Sequence, residues 1–436
     1  MPENADKNVR KAAFHSLLAC AKHGKYPNLE VASSIARGNF SDADRRLYTE
    51  MVYGVTERIL TLDHIVSSLS SRDISKIDAE SLMCIRMGLY QLLYLDRVPD
   101  HAAVSETVSL AKRSSKGFVN AVLREFIRRG KKFDLPSRDK SLTEYLGVKY
   151  SCPEEMCKFL VSKLGEEKAE KLLESTFSRR GVTLRVNTLV CTAEELISEE
   201  FPKGQISPMA DDIIEVGGID FKKDSGGRWF VQDAASRLAV TALGPLPGET
   251  IIDTCAAPGG KTFSTAIDMK NRGRVISFDL HENKISLIKK GAEALGLGCV
   301  SASCRSAAEP DENLIGTADR VICDAPCSGL GVISKKPDIK YKSVADIEKL
   351  PSVQKRILDG ASRYVKDGGM LVYSTCTVNP DENEAIVKDF LASHADFEPC
   401  DFSFKNGIAS SDGMLTLFPH ITGTDGFFIA KMVRKK

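Results

Sequence analysis

One segment, residues 251–261, constrains the fold of this chain more than any other, and it reads IIDTCAAPGGK. Its first residues are apolar and β-branched, which is typical of a short buried strand. Pro258, Gly259 and Gly260 predict a tight turn, because glycine tolerates unusual φ angles and leaves no side chain between the loop and a ligand. A helix is expected from Thr262 onward. This order of strand, loop and helix is typical of the ligand site at the carboxyl ends of the strands in an open α/β sheet.

The segment also indicates a type of cofactor. The next predicted strand, residues 274–278, leads into Asp279, whose carboxylate is placed to accept hydrogen bonds from a ribose diol. The loop lacks the G-x-G-x-x-G spacing, and Cys255 stands where a P-loop needs glycine. A nucleoside cofactor without phosphate, such as S-adenosyl-L-methionine, therefore suits it better. For the segment alone, an ordinary turn between strand and helix is the alternative.

The pattern along the 436 residues predicts three domains. Residues 1–135 predict an all-helical bundle, residues 136–235 a small α+β domain, and residues 236–436 alternate strands and helices. This alternation is typical of a mostly parallel, doubly wound sheet. Its last strand can be antiparallel, because no long helix precedes it. The strand candidates of the third domain are 250–254, 274–278, 298–302, 319–323, 369–374 and 426–433.

Composition narrows the class of protein. The formal net charge is only +1, so any nucleic-acid surface must come from local clustering of charge. The sequence has neither a secretory leader nor an apolar run long enough for a bilayer, so we expect a cytoplasmic protein whose 12 cysteines are free thiols. Cys152 and Cys157 lack a second matching pair, which disfavours a zinc site.

The end of the helical domain is locally basic, with Glu125 as the acid within the run. A solvated helix face and a phosphate-binding surface both account for it, and the sequence leaves both open. The basic residues are Lys112, Arg113, Lys116, Arg124, Arg128, Arg129, Lys131 and Lys132.

Two cysteines and a carboxylate are expected at the same sheet edge as the loop. Asp324 and Cys327 follow one predicted strand, and Cys376 follows another. A single cysteine at a strand end is usually a small apolar residue, as we expect for Cys323 inside its strand. Two such cysteines beside a cofactor loop favour a catalytic role over a purely structural one. Hydrolysis through Ser328 is disfavoured, because no histidine in these motifs has the context of a catalytic triad.

One reaction needs this set of groups together with a methyl donor. Carbon 5 of a pyrimidine is a poor nucleophile, but a thiolate that adds to carbon 6 turns the ring into an enamine that can attack a sulfonium methyl. A carboxyl group near ring nitrogen 3 stabilises the charge that builds there. A base then removes the carbon 5 proton and the thiolate leaves. Lys261 or the sulfonium can offset the effect of the carboxylate on ionisation of the thiol.

These residues resemble the Sun/Fmu-type bacterial ribosomal RNA cytosine-5 methyltransferases over nearly the whole chain. Residues 253–261 are similar to the family's adenosylmethionine loop, 324–329 to its Pro-Cys motif and 374–376 to its Thr-Cys motif; 337–340 and 423–428 also match family signatures. The helical N-terminus resembles the NusB-like RNA-binding domain. The resemblance implies a Rossmann-like class I methyltransferase domain, preceded by an all-α NusB-like domain and a small α+β domain.

The resemblance also implies a role for each site residue. Cys376 would be the nucleophile on carbon 6, Cys327 would assist release of the methylated product, and Asp324 would contact the cytosine. DNA cytosine-5 methyltransferases use the Pro-Cys cysteine as nucleophile, so the Thr-Cys motif indicates RNA. Lys261 joins the catalytic set. The cofactor-binding residues would be Cys255, Ala256, Ala257, Pro258, Gly259, Gly260, Lys261, Asp279 and Asp324.

The expected activity is S-adenosyl-L-methionine-dependent methylation of carbon 5 of a cytosine in 16S ribosomal RNA. The expected partner is 16S ribosomal RNA or a precursor of the small ribosomal subunit, with no membrane and a monomeric enzyme. A non-catalytic RNA-binding or assembly factor is the alternative, and a nicotinamide-dependent dehydrogenase is disfavoured by the missing glycine motif. The chain departs from the family once, since residues 301–306 lack the acid that many members carry near the adenine, and Cys304 stands in that stretch.

Overall fold

The computed structural model describes residues 8–23, 30–31, 33–35, 40–178, 180–219 and 225–436. The chain divides into two compact units, with the boundary between Ser162 and Lys163. The predicted division into 1–135, 136–235 and 236–436 stays a prediction. Within the described ranges, no helix is both long and apolar enough to cross a lipid bilayer.

The first unit is helical wherever it is described in regular structure, as the sequence predicts. The helix Asp42–Glu57 begins at the predicted place, because the Ser41 side chain accepts a hydrogen bond from the Asp44 backbone N–H (3.2 Å). Its buried face, including Tyr48, Met51 and Val55, packs into the core of the bundle. The helices are α1 (Val9–His23), α2 (Asp42–Glu57), α3 (Ile59–Leu69), α4 (Ala79–Tyr94), α5 (Asp100–Leu110), α6 (Lys116–Arg128), α7 (Leu142–Tyr150) and α8 (Glu154–Leu164), with a 3-10 turn at Ile74–Lys76.

Acids from other helices neutralise part of the basic run at the end of this bundle. Lys112 lies 3.1 Å from Glu80, and Lys131 lies 3.0 Å from Asp100. The sequence did not reveal these pairs, because the partners are about 30 residues away along the chain. The run therefore carries less free charge than its sequence suggests, and a phosphate-binding role for it stays a prediction.

A small antiparallel sheet lies in the first part of the second unit, in the order β2-β3-β1-β4. The sequence predicted three of its strands and missed the short β2. Trp229 is buried in its core, as expected for a packing residue. The elements are α9 (Glu166–Ser175), β1 (Val182–Val186), α10 (Ala193–Glu200), β2 (Gln205–Ser207), β3 (Ala210–Val216) and β4 (Trp229–Val231).

The rest of the unit forms an eight-stranded sheet in the order β10-β12-β9-β8-β5-β6-β7, with β11 beside β12. Strands β9 to β7 of this order are mutually parallel, whereas β12 is antiparallel to β9, as predicted. The elements are α11 (Ala234–Leu243), β5 (Thr250–Asp253), α12 (Gly260–Asp268), β6 (Arg274–Asp279), α13 (Glu282–Ala294), β7 (Val300–Cys304), β8 (Ala318–Asp324), α14 (Val344–Ile347), α15 (Leu350–Ser362), β9 (Val365–Thr375), α16 (Glu384–Ser393), β10 (Phe397–Pro399), β11 (Met414–Leu417), α17 (Pro419–Thr422) and β12 (Phe427–Arg434), with 3-10 turns at Glu312–Leu314, Leu330–Val332 and Pro337–Tyr341.

Helices cover both faces of this sheet. Ile267 and Ile288, from α12 and α13, belong to one buried cluster, whereas Leu358 and Ile386, from α15 and α16, belong to another. Burial on both faces explains why the central strands read as continuous apolar runs. The predicted doubly wound, Rossmann-like architecture is confirmed.

The strand order decides where the functional side chains meet. Parallel pairing sets Asp253 opposite Ile322 and Ser277, and Asp324 opposite Ser374. The carboxyl ends of β6, β5, β8 and β9 therefore lie side by side at one edge of the sheet. Ligands of open α/β sheets bind at this edge, where the direction of the chain connections reverses.

Candidate active site

The loop between β5 and α12 has the small-residue shape that its sequence predicts. Gly259 has φ 115° and precedes the first helical residue, Gly260. A Cβ atom added to Gly259 would lie 2.3 Å from Cζ of Phe263, so only glycine fits there. The Asp279 carboxylate faces the same loop, because its Oδ2 accepts a hydrogen bond from the Ala257 N–H (3.3 Å). A carboxylate beside a loop without bulky side chains fits a nucleoside cofactor that carries no phosphate.

The other predicted residues of this loop differ in how far they are exposed to solvent. Ala256 is buried and Pro258 is exposed. Cys255 is half-buried, and a hydrogen bond with Cys323 is the main reason why the pKa of its thiol is raised well above the ordinary value. Cys323 itself is fully buried, as expected for an apolar strand residue. The thiol of Cys255 is therefore tied to the sheet.

The buried carboxylate of Asp253 holds the loop between β5 and α12 in place. The Thr262 hydroxyl donates to Oδ2 of Asp253 (2.7 Å) and lies 3.0 Å from the Ser277 hydroxyl. Burial raises the pKa of Asp253 to about 7. This bond joins the start of α12 to the end of β5, so it holds the loop in place. The sequence placed Asp253 at the strand end without assigning it this support.

Asp324 stands at the end of β8 with both carboxylate oxygens engaged. Lys261 Nζ lies 2.7 Å from Oδ2, and the Ser374 hydroxyl donates to Oδ1 (2.7 Å). The lysine is 9% exposed and its Nζ lies 5.1 Å from the centre of the Phe427 ring. A half-buried, oriented carboxylate beside a cation can respond to charge that develops on a ligand.

The two candidate cysteines face each other across the ends of β8 and β9. Their sulfur atoms, Cys327 Sγ and Cys376 Sγ, are 3.3 Å apart. The hydrogen bond from Cys327, together with the charge of Lys261, lowers the pKa of Cys376 against the opposing effect of burial. That same hydrogen bond, burial and the charges of Glu382 and Asp324 hold the pKa of Cys327 well above its ordinary value. The opposite directions of the two pKa shifts favour Cys376 as the thiolate of the pair.

The stretch that lacks the family's acid lies at the end of β7. Cys304 is exposed and pairs in register with Asp279, and its Sγ lies 3.3 Å from the Leu280 carbonyl oxygen. The Arg305 backbone N–H donates to the Asp279 carbonyl oxygen (3.0 Å). The ends of β6 and β7 are thus joined by a backbone hydrogen bond beside Asp279.

Sequence reasoning missed a buried carboxylate behind the cysteines, Glu382. It lies in a turn formed by residues 379–383, and α16 begins directly after this turn, at Glu384. The Ser328 hydroxyl donates to Glu382 Oε1 (2.5 Å), so it is engaged in the turn rather than placed as a nucleophile. The available signal was the polar run at residues 379–383, which begins two residues after the Thr-Cys motif.

Two glycines bring a third segment against the cysteine loops. The Gly331 N–H donates to the Cys376 carbonyl oxygen (3.1 Å), and the Gly426 N–H donates to the Gly331 carbonyl oxygen (2.9 Å). A Cβ atom on Gly331 would lie 1.9 Å from the Gly426 carbonyl oxygen. The approach of backbone to backbone therefore needs glycine at this position.

Replacing Gly331 with alanine is expected to destabilise the protein. The new methyl group meets backbone atoms, which cannot rotate away, so the two segments must separate. We expect the free energy of unfolding to fall by about 1–3 kcal/mol, measured by thermal and denaturant unfolding of the full chain. Gly298→Ala is the matched control, since a Cβ atom there meets no atom within 4 Å. Equal stability of the two variants would contradict this account of the contact.

Each of the two units contains a segment that matches the model of a known protein family. Residues 240–433 match the family model "16S rRNA methyltransferase RsmB/F", and residues 7–128 match the NusB family. A curated relative from Bacillus subtilis (strain 168), "Probable ribosomal RNA small subunit methyltransferase B", is 38% identical over 98% of this chain and 99% of its own length. The "Ribosomal RNA small subunit methyltransferase B" of an Escherichia coli O7:K1 strain is 33% identical over 98% of this chain and 99% of its own length.

Solved structures show the same architecture. The crystal structure titled PH0851 has a TM-score of 0.78 and 25% identity, and the match covers 99% of this chain and 98% of that one. A methyltransferase homologue from Pyrococcus horikoshii has a TM-score of 0.58 and 27% identity over 67% of this chain and 99% of its own. The resemblance stated from the sequence motifs is confirmed.

Proposed function

Because this chain belongs to the 16S rRNA methyltransferase RsmB/F family, we propose that it methylates carbon 5 of a cytosine in 16S ribosomal RNA through a covalent bond between cysteine and base. Membership in this family shows that the protein is an S-adenosyl-L-methionine-dependent methyltransferase of small-subunit ribosomal RNA. The position of the methyl group and the covalent step are the parts that we add.

One observation carries the proposal. Two thiols with sulfurs 3.3 Å apart lie beside a carboxylate that Lys261 holds at 2.7 Å. Methylation of an oxygen or an exocyclic nitrogen needs no cysteine nucleophile, because those atoms already carry lone pairs. Methylation of a ring carbon does need one, since a thiolate must first make carbon 5 electron-rich.

We assign the steps to residues as follows. Cys376 adds its sulfur as a thiolate to carbon 6 of the ring, and the displaced electron pair places negative charge on ring nitrogen 3. The carboxyl group of Asp324 shares a proton with that nitrogen and so stabilises the charge. S-adenosyl-L-methionine supplies the methyl group that carbon 5 takes. A base removes the carbon 5 proton, and the bond between carbon 6 and the sulfur breaks. The Cys327 thiol, 3.3 Å away, donates a hydrogen bond to the departing sulfur and so assists release of the product.

The cofactor site that we propose adjoins these groups. Asp279 would hold the ribose, and residues 255–261 would enclose the methionine part. Lys261 would serve both sites, because it belongs to the loop and contacts Asp324. This placement sets the methyl donor beside the carbon that receives it.

The proposed substrate must present a single base to this edge. A cytosine in a helix or a stack cannot reach two sulfurs at a sheet edge, so it has to turn out of its stack. We propose that the helical first unit contributes phosphate contacts to 16S ribosomal RNA or to a precursor of the small subunit. A monomeric enzyme and a cytoplasmic location stay predictions.

Bisulfite sequencing of ribosomal RNA tests this function. In RNA from cells that contain the gene, we expect one 16S cytosine to resist conversion, because a methyl group on carbon 5 slows deamination by bisulfite. The same cytosine is expected to convert in cells without the gene, and to be protected again after complementation with the wild-type gene. An unchanged pattern of 16S cytosines would contradict the proposal, and calorimetry without cofactor binding would favour a non-catalytic assembly factor instead.

A further inference from the structure

A buried carboxylate, that of Glu382, joins the two loops that carry the cysteines. It is fully buried, and its Oε2 accepts hydrogen bonds from the Ser328 backbone N–H (2.8 Å) and the Gln354 amide (3.0 Å). Its Oε1 accepts from the Ser328 hydroxyl (2.5 Å) and the Asn379 amide (3.0 Å). A carboxylate with four donors is fixed in place, and its removal would take an acceptor away from each of them.

These bonds reach both cysteine loops. Ser328 directly follows Cys327, and its hydroxyl also lies 2.8 Å from the hydroxyl of Thr377, which directly follows Cys376. The Gln354 amide donates to the Pro326 carbonyl oxygen as well (2.9 Å). Glu382 is thus the acceptor that the two cysteine loops share. The proposed reaction needs the two sulfurs at a constant distance, and these hydrogen bonds hold the loops that carry them.

The four donors around Glu382 are neutral and do not cancel the negative charge of its carboxylate. That charge therefore acts on the titratable groups nearby. The titratable groups that face Cys327 are Cys376, Glu382, Asp324 and Tyr373. The Lys342 ammonium reaches the nearby Ser328 carbonyl oxygen (2.8 Å). Negative charge on two of these neighbours opposes ionisation of the Cys327 thiol, and together with burial and the bond to Cys376 it raises the pKa of that thiol.

We propose that Glu382 is a positioning residue for the cysteine pair, whose hydrogen bonds fix the separation of the two loops and whose charge keeps the hydrogen on Cys327. Cys376 is then the member free to ionise, because the positive charge of Lys261 favours its thiolate. The inference rests on the proposed function and deepens it: it names the residue that holds the two cysteine loops together and keeps Cys327 protonated.

Titration of Cys327 in the full-length Cys376→Ala protein tests the charge effect without RNA or cofactor. The rate of alkylation by iodoacetamide is measured against pH, and modification of the Cys327 peptide is followed by mass spectrometry. We expect the apparent pKa of Cys327 to lie above the ordinary value of about 8.5. Adding Glu382→Gln should lower it by on the order of one unit, because the buried charge is gone while most hydrogen bonds can re-form.

Two matched variants separate charge from structure. Asp381→Asn removes a charge from the adjacent residue, whose carboxylate is 44% exposed and pairs with Lys163, and it should leave the titration of Cys327 unchanged. Ser328→Ala removes the hydroxyl bond but keeps the Glu382 charge. It should also leave the apparent pKa unchanged, while it lowers kcat of the protein that retains Cys376.

Two results would overturn the inference. One is a Cys327 apparent pKa at or below the ordinary value in the Cys376→Ala protein. The other is a Glu382→Gln protein that titrates like Asp381→Asn. The first measurement needs no substitution at Glu382, so it can overturn the inference even where Glu382→Gln does not fold. Because neither measurement involves methyl transfer, their failure is distinct from failure of the proposed activity.

Discussion

Cys376→Ala is expected to abolish methyl transfer, with kcat lowered by on the order of 10⁴-fold or more. Without a sulfur that adds to carbon 6, carbon 5 never gains the electron density that it needs to take the methyl group. The expected readout is loss of label transferred from methyl-labelled S-adenosyl-L-methionine to 16S ribosomal RNA. Cofactor binding by calorimetry should persist, because the loop at residues 255–261 is unchanged.

A matched cysteine substitution controls for loss of a thiol as such. Cys400 follows β10, outside the cysteine pair, and its Sγ donates a hydrogen bond to the carbonyl oxygen of Asp401 (3.9 Å). Cys400→Ala should therefore keep wild-type turnover. Normal turnover by Cys376→Ala would show that the covalent chemistry is assigned to the wrong residue.

Cys327→Ala is expected to trap a covalent complex between protein and RNA. The Cys376 sulfur can still add to the base, but the departing sulfur then lacks the thiol that lies 3.3 Å away in the native site. Breakdown of the intermediate becomes slower than its formation, so the adduct accumulates. Denaturing gel electrophoresis with labelled RNA should show a slowly migrating band that protease removes and that depends on S-adenosyl-L-methionine.

The double variant Cys327→Ala, Cys376→Ala identifies the bond in that band. It should give no adduct, because the sulfur that forms the bond is absent. An adduct that survives in the double variant would place the covalent bond on another residue. Fast product release by Cys327→Ala, without an adduct, would remove Cys327 from the release step.

The fold was largely predictable because its signals are local. Apolar β-branched runs, small-residue turns and helix caps such as Ser41 are written in neighbouring residues, so strands β5 to β9 and the antiparallel β12 were found. Strands β2, β10 and β11 were missed. They are three or four residues long and carry no clear alternation.

Other features depend on residues far apart in the chain. Acids that pair with the basic run, such as Glu80 with Lys112, come from a different helix. The contact of Gly331 with Gly426 joins positions 95 residues apart. No period or spacing encodes such contacts, because they exist only once the elements have packed.

The sequence by itself determined the loop, the cofactor class and the identity of the two candidate cysteines, since each is carried by a short motif that begins at a strand end. The tertiary structure alone decided how these motifs act on one another. It set the sulfurs of Cys327 and Cys376 3.3 Å apart, tied Asp324 to Lys261 and placed Glu382 behind both loops. The physical reason is that the ionisation of a thiol depends on burial and on charges within a few ångströms, and strand order, rather than distance along the chain, fixes which charges those are.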